Sequence, residues 1–242
     1  FVDSDDYLHT DTVETAHKVI SKKDVDMVAF GINFVSEDGR IIKVKYDGTD
    51  FGKVINPASN PSLILNVPNA WNKIYKTELF SKHNIWFPAR AWYEAMRSIV
   101  KMYAVIDSVV YIQEAFYYYV QRKESIMHSS NIERNKEILD AFDDIFEYYD
   151  GRALTNAYRD ELEQLTILNV YMAASGRVAA LDVKSNLLPL FRNYLTEHFP
   201  QYTKNKYISR LNIQRRTLLY FLEIKQYWLV RVLGLIKNRL DG

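Results

Sequence analysis

Asp3, Asp5 and Asp6 place three carboxylates within four positions of the opening segment Phe-Val-Asp-Ser-Asp-Asp-Tyr-Leu, Phe1 to Leu8. Ionised together they repel one another, and such a cluster commonly exists to hold a hard divalent cation through oxygen ligands. An acidic turn ahead of a helix also has an ordinary use, with Asp6 as the N-cap. The apolar residues that lead in are expected to form a strand running straight into the acidic turn. A strand that opens a domain needs a neighbour, and the first residue is Phe rather than Met. We therefore expect the back part of a larger protein.

The elements that must carry this cluster alternate at first between helix and strand. Thr10 to Ser21 has helical spacing, with Val13, Ala16 and Ile20 on one face. Val25 to Val35 is β-rich. Ser36 to Arg40, with its Asp38-Gly39 pair, predicts a hairpin into Ile41 to Tyr46. Gly48 to Pro68 is a loop rich in Gly, Pro, Asn and Ser with room for a short helix. Trp71 to Phe80 is a compact apolar and basic segment, Trp92 to Ala104 is helical, and Ser108 to Val120 is the strongest strand. From about Asn131 the pattern becomes helical throughout: Ile132 to Tyr149, Leu154 to Ser175 after the Asp150-Gly151 break, Asn186 to Glu197, and Ile213 to Leu240. The expected fold class is α/β followed by all-α, divided as residues 1–130 and 131–242.

Composition sets outer bounds. The 242 residues carry a net charge of +1, which argues against nucleic acid as the main partner. There is no cysteine, so thiolate metal sites and disulfides are excluded and a reducing compartment fits. No stretch is long and apolar enough for a transmembrane helix. Aromatic residues reach 14%, a surplus that can line carbohydrate sites but mostly supplies core.

Several segments, taken together and in order, make the chain resemble the inverting family 2 glycosyltransferases, above all the bacterial enzymes that build capsular, exopolysaccharide or wall polymers. They are Phe1 to Leu8, Trp71-Asn72-Lys73-Ile74-Tyr75, Phe87-Pro88 with Trp92-Tyr93-Glu94, Tyr117-Tyr118-Tyr119, and Arg122-Lys123-Glu124-Ser125-Ile126-Met127-His128. They span about the first 130 residues. His198-Phe199-Pro200 and Lys204-Asn205-Lys206-Tyr207 resemble the helical tail of the same subgroup. The resemblance implies a partial GT-A domain, Rossmann-like, holding the metal motif and the acceptor half but lacking the N-terminal nucleotide-binding half. A helical C-terminal domain follows.

The implied reaction moves a sugar from a nucleotide diphosphate, a UDP-sugar, to a saccharide or lipid-linked hydroxyl acceptor with inversion. The diphosphate must be neutralised as it leaves, and a divalent cation, Mn²⁺ or Mg²⁺, does this as a Lewis acid. On this reading Asp5 is the first metal ligand, Asp6 the alternative, and Asp3 lies nearer the ribose. Arg122 offers a bidentate fork, Ser125 a hydroxyl and His128 a donor or ligand for the donor's phosphates. Lys73 could serve the same anion or be a surface lysine at a helix start. The family's catalytic Glu-Asp pair reads Glu94-Ala95 here. Alanine cannot take a proton, and neighbours on a helix point about 100° apart, so Glu94 does not simply replace an Asp.

Two rivals stand beside this reading. One is a degenerate transferase kept as an interaction or assembly module, motivated by Ala95. The other is a glycoside hydrolase using two carboxylates, which the short Asp3 to Asp5 spacing disfavours. In the last helix pattern Leu222, Leu229, Val232, Leu233, Ile236 and Leu240 form an apolar stripe beside Lys225, Arg231, Lys237 and Arg239. It suits packing against other helices, a homo-oligomer, or peripheral contact with an anionic membrane. The expected location is cytoplasmic, at the inner face of the membrane.

Overall fold

A computed structural model describes residues 1–48, 50–122 and 131–241, with side chains as far as Ile236. The chain divides into two compact units: Phe1–Ala89 with Glu94–His128, and Arg90–Tyr93 with Ser129–Gly242.

The first unit is built on a mixed six-stranded sheet. Its centre is a parallel pair, β2 (Met27–Ser36) and β6 (Val109–Gln121). Central strands covered on both faces read as continuous apolar runs, and Met27 to Asn33 is buried at every position. Two short strands line the outer edge of β6: β1 (Tyr7–Leu8) pairs antiparallel with Tyr117 and Tyr118, and β4 (Val54–Ile55) with Val109 and Val110. The outer edge of β2 is shared in the same way by β3 (Ile41–Lys45) and β5 (Lys73–Tyr75). The expected hairpin joins β2 to β3. Gly39 takes φ 82°, a conformation that costs glycine little.

Helix α1 (Thr12–Lys23) covers one face of the sheet, packing Ala16 with Val28, Phe30, Ile32, Val110, Ile112 and Phe116. Its buried face is Thr12 and Ala16 with Val19 and Ile20 half-buried, whereas Val13 points to solvent. α2 (Glu78–Lys82) and α3 (Glu94–Met102) complete the unit, α3 burying Met96, Ile99, Val100 and Met102. The expected opening strand is corrected. The acidic residues come first, in a turn closed by the Asp6 amide donating to the Asp3 carbonyl at 3.1 Å, and the strand follows at Tyr7.

The second unit is helical, with no strand among its described residues. α4 (Glu137–Asp150) buries Ile138, Ala141, Phe142, Ile145 and Tyr149 at helical spacing. α5 (Arg159–Thr166) runs into a π-helical stretch, Ile167–Ala174, and then α6 (Ser175–Leu181). α7 (Leu187–His198) adds Leu188, Phe191 and Leu195 to the core. The last helix pattern is two helices, α8 (Ile213–Glu223) and α9 (Tyr227–Asp241), with Lys225 in the left-handed region (φ 56°) between them. The fold class is therefore α/β, Rossmann-like, followed by C-terminal helices.

Candidate active site

The acidic turn is fastened to the C-terminal end of β6. Asp6 accepts from the Tyr117 hydroxyl through Oδ2 at 2.7 Å and from the Val120 amide through Oδ1 at 2.8 Å. The Asp3 amide donates to the same Tyr117 oxygen at 3.1 Å. Asp6 is thus a tether between the turn and the sheet, and the N-cap position of α1 belongs to Asp11 instead. On the near side of the turn, Phe1 packs its ring against Phe87 at 4.8 Å, Phe80 at 5.6 Å and Tyr75 at 6.3 Å. Anchored at both ends, the three carboxylates stay together despite their repulsion.

That repulsion is visible in Asp3. Partial burial raises its carboxyl above the ordinary value, and the charges of Asp6, Asp5 and Glu94 raise it further; the N-terminal ammonium acts the other way. Glu94, the exposed first residue of α3, is therefore close enough to the turn for its charge to be felt there. Arg122, just past β6, sets its Nε 3.8 Å from Asp5 Oδ2, with both side chains about half exposed. Carboxylates from the turn, one from α3 and a guanidinium from the end of β6 thus share one region. It lies at the carboxyl end of a parallel strand pair, where open α/β sheets usually bind ligands.

Aromatic rings form its floor. Trp71 stacks on Tyr117 at 4.0 Å and lies parallel to Tyr119 at 5.7 Å. Strand alternation sends Tyr118 to the opposite face, where it stacks on Tyr7 at 4.6 Å. Burial pushes the Tyr117 hydroxyl far up, so it remains a donor for Asp6. Burial, then Asp6, Asp5 and Asp3, raises Tyr119 as well. Trp71, Tyr117 and Tyr119 line this same region; the sequence marked them through the Trp71 and Tyr117-Tyr118-Tyr119 segments of the resemblance and through the period-2 spacing of the two tyrosines.

The expectation that Lys73 reaches an anion is corrected. It lies in β5 with a fully buried side chain, so it is not a surface lysine either. Its ammonium donates to the Asn69 carbonyl at 2.8 Å, Asn72 Oδ1 at 2.7 Å and the Val67 carbonyl at 3.5 Å, with Asp47 Oδ2 at 3.8 Å. Burial pulls its pKa down to about 8 against the pull of Asp47. Lys73 holds a loop. Ser125 and His128 lie outside the described residues.

The motif around Glu94 divides between the units. Trp92 and Tyr93 belong to the helical one, where the Trp92 amide donates to Glu137 Oε2 at 2.7 Å and Arg177 Nη2 to the Tyr93 hydroxyl at 2.7 Å. In the tail motif, Asn205 donates to the Asp160 carbonyl at 2.8 Å and to Glu163 Oε2 at 2.7 Å, while Lys206 pairs with Asp160 at 2.9 Å and Glu161 at 3.1 Å. These residues clamp α5.

Among the described residues no three His, Cys, Asp or Glu side chains converge tightly enough to form a ready cation cage. The donor set nevertheless suits a hard cation. It is all oxygen, and Asp3 is raised first by burial and then by three neighbouring carboxylates, whose repulsion a cation would offset.

No protein-family model matches this chain, and no curated protein matches it significantly. Solved structures do. S. aureus TarS 1-349 in complex with UDP aligns with 100% of this chain at 20% identity and a TM-score of 0.59. The same protein in complex with UDP-GlcNAc aligns with 99% of it at 19% identity and a TM-score of 0.53. This chain spans 66% and 67% of the chains in those two structures. At this identity the likeness is one of fold: the Rossmann-like sheet and C-terminal helices described above are shared with these structures.

Proposed function

We propose that this chain is the metal-motif and acceptor-side portion of a glycosyltransferase. It would move a sugar, with inversion, from a UDP-type nucleotide diphosphate to a hydroxyl of a saccharide or lipid-linked acceptor in bacterial surface or wall polymer synthesis. The observation that carries this reading is the acidic turn of Asp3, Asp5 and Asp6 tied to the carboxyl end of β6, with Arg122 3.8 Å from Asp5 and the charge of Glu94 felt at Asp3. The complexes of the similar fold with UDP and UDP-GlcNAc support the donor class.

On this proposal Asp5 holds Mn²⁺ or Mg²⁺, with Asp6 the alternative ligand while it tethers the turn and Asp3 nearer the ribose, and the region is GT-A in kind. The cation, when bound, supplies Lewis-acid neutralisation of the leaving diphosphate. Arg122 adds a guanidinium for the same phosphates, released from Asp5 as the anion arrives, and Ser125 and His128, outside the described residues, are proposed as further contacts of the donor. Trp71 and Tyr119 present flat apolar faces beside the carboxylates, suited to sugar or base. Glu94 is the carboxylate we assign to the acceptor hydroxyl, either accepting its proton or orienting it.

The test is calorimetric titration of UDP into the protein with and without Mn²⁺. We expect metal-dependent binding that Asp5→Asn weakens at least tenfold. Binding indifferent to both metal and Asp5 would end the donor-site assignment. Ala95 favours a second reading in which donor binding is kept and transfer lost. If so, Ala95→Asp raises transfer sharply with UDP affinity unchanged, and an active parent protein removes that reading.

A further inference from the structure

Among the described residues no helix is long and apolar enough to cross a membrane, and the helical unit opens a polar recess to solvent. The recess lies between the first turns of α5, which give Arg159, Asp160 and Glu163, and the turn after α7, which gives Gln201, Lys204 and Asn205. Its volume is about 370 Å³, at the lower end of cavities that take small molecules. The tail motif noted in the sequence thus does more than clamp α5: it forms one wall of a cavity. That wall is held in place beforehand. Asn205 is only 6% exposed; its side-chain amide donates to the Asp160 carbonyl and Glu163 Oε2, and its Oδ1 accepts from the Tyr207 amide at 2.9 Å. The Lys204 amide adds a further tie, donating to the Gln201 carbonyl at 2.8 Å.

The lining selects its ligand by charge. Two cations, Arg159 and Lys204, stand against two carboxylates, so the recess has no net charge to attract a free ion. Half-buried Asp160 and Glu163 form the floor with Asn205, and both carboxylates are already answered: Asp160 by Lys206 at 2.9 Å and Glu163 by Asn205 at 2.7 Å. Neither needs an ammonium or a metal ion, yet each keeps oxygen lone pairs for hydroxyl donors. Exposed Arg159, Gln201 and Lys204 make the rim, where Lys204 gives one hydrogen to Gln201 Oε1 at 3.3 Å and Arg159 lies over the Phe199 ring at 5.9 Å. Acceptors on the floor and donors at the rim suit vicinal hydroxyls, which donate and accept at once. Pro200 adds an apolar surface for the C–H face of a ring. A phosphate ion would have to sit against the two carboxylates.

We propose that this cavity is a binding site for a neutral saccharide, carried by the helical unit. The inference rests on the cavity alone and stands whether or not the acidic turn binds a donor. The test is a ¹H–¹⁵N NMR titration of the full chain with N-acetylglucosamine and with maltose, and in parallel with inorganic phosphate and with glycine. The expected result is saturable shifts at the Gln201, Lys204 and Asn205 amides, with a Kd of about 1 mM for at least one sugar. Salt should leave this binding unchanged, because the ligand is uncharged. Arg159→Ala with Gln201→Ala, both at exposed positions, should weaken it about tenfold with the rest of the spectrum kept. Saturation by phosphate or glycine in place of the sugars, no saturable shift with either sugar, or binding indifferent to the variant overturns the proposal. So do sugar shifts confined to Asp5, Trp71 and Arg122, which would leave the transferase reading intact. Loss of UDP binding with the shifts at Gln201, Lys204 and Asn205 kept would do the reverse.

Discussion

Asp6 shows how one residue can serve both fold and site. Both of its carboxylate oxygens are engaged by β6, so the turn that carries Asp3 and Asp5 is held in place while those two remain the less committed groups. The strain of this arrangement falls on Asp3. In the unfolded chain its carboxyl titrates at the ordinary value of 3.8, and in the folded chain it titrates above that. Below 3.8 both states are protonated and nothing is lost. As pH rises through the folded value the carboxylate is charged while partly buried and beside Asp6, Asp5 and Glu94, and stability falls. We therefore expect Asp3→Asn to raise the melting temperature at neutral pH, with the gain vanishing at pH 3 to 4. Added Mn²⁺ should stabilise the parent protein more than the variant. A variant less stable at neutral pH would show that Asp3 is held by favourable contacts instead.

At the scale of elements, the β5 segment is the clearest case of a residue type misleading the reading of a motif. Trp71, Asn72 and Lys73 have divided duties: Trp71 faces the tyrosines of β6, while Asn72 and Lys73 turn into the interior and tie the strand to Asp47 and the 67–69 loop. This burial has a signature in pH. Lys73 titrates at about 8 in the folded chain and at 10.5 when unfolded. Between those values only the unfolded chain holds the extra proton, so stability from this group rises with pH. The buried tyrosines Tyr75 and Tyr103 oppose this only above about 10, where the unfolded chain begins to ionise. Urea midpoints should climb between pH 8 and 10, and Lys73→Met should flatten that climb. An unchanged slope in the variant would assign the effect elsewhere. The strands themselves were readable: β2, β3 and β6 lie where alternation and β-branched residues place them. The two-residue strands β1 and β4 were not, because so short a pairing leaves no periodicity and exists only through β6.

For the whole molecule, two cores have a thermodynamic consequence. Each unit buries its own cluster, around Ala16, Phe30 and Tyr117 in one and around Phe142, Tyr171 and Phe191 in the other. If the donor site lies in the first, ligand should stabilise that unit selectively. Urea unfolding followed in variants retaining either Trp71 or Trp228 as the single tryptophan would separate the two. UDP with Mn²⁺ at about 100 times its Kd is expected to add about 2.7 kcal/mol to the Trp71 transition and leave the Trp228 transition in place. A common shift in both would mean that the units unfold as one.

The sequence by itself determined what short range controls. Helical and strand periodicity, the turn at Asp38-Gly39, the change of character near Asn131 and the crowding of Asp3, Asp5 and Asp6 are all set by neighbours within a few positions. Tertiary structure decided whatever depends on a distant partner. Asp6 meets Tyr117 and Val120 across 111 and 114 positions, and Glu94 bears on Asp3 from the start of α3. The direction in which Lys73 points, and the burial of Leu222 while Val232 and Ile236 stay exposed in the last stripe, were settled in the same way. A side chain's type is written locally. Its partner, and hence its protonation, burial and role, exists only once the chain has folded back on itself.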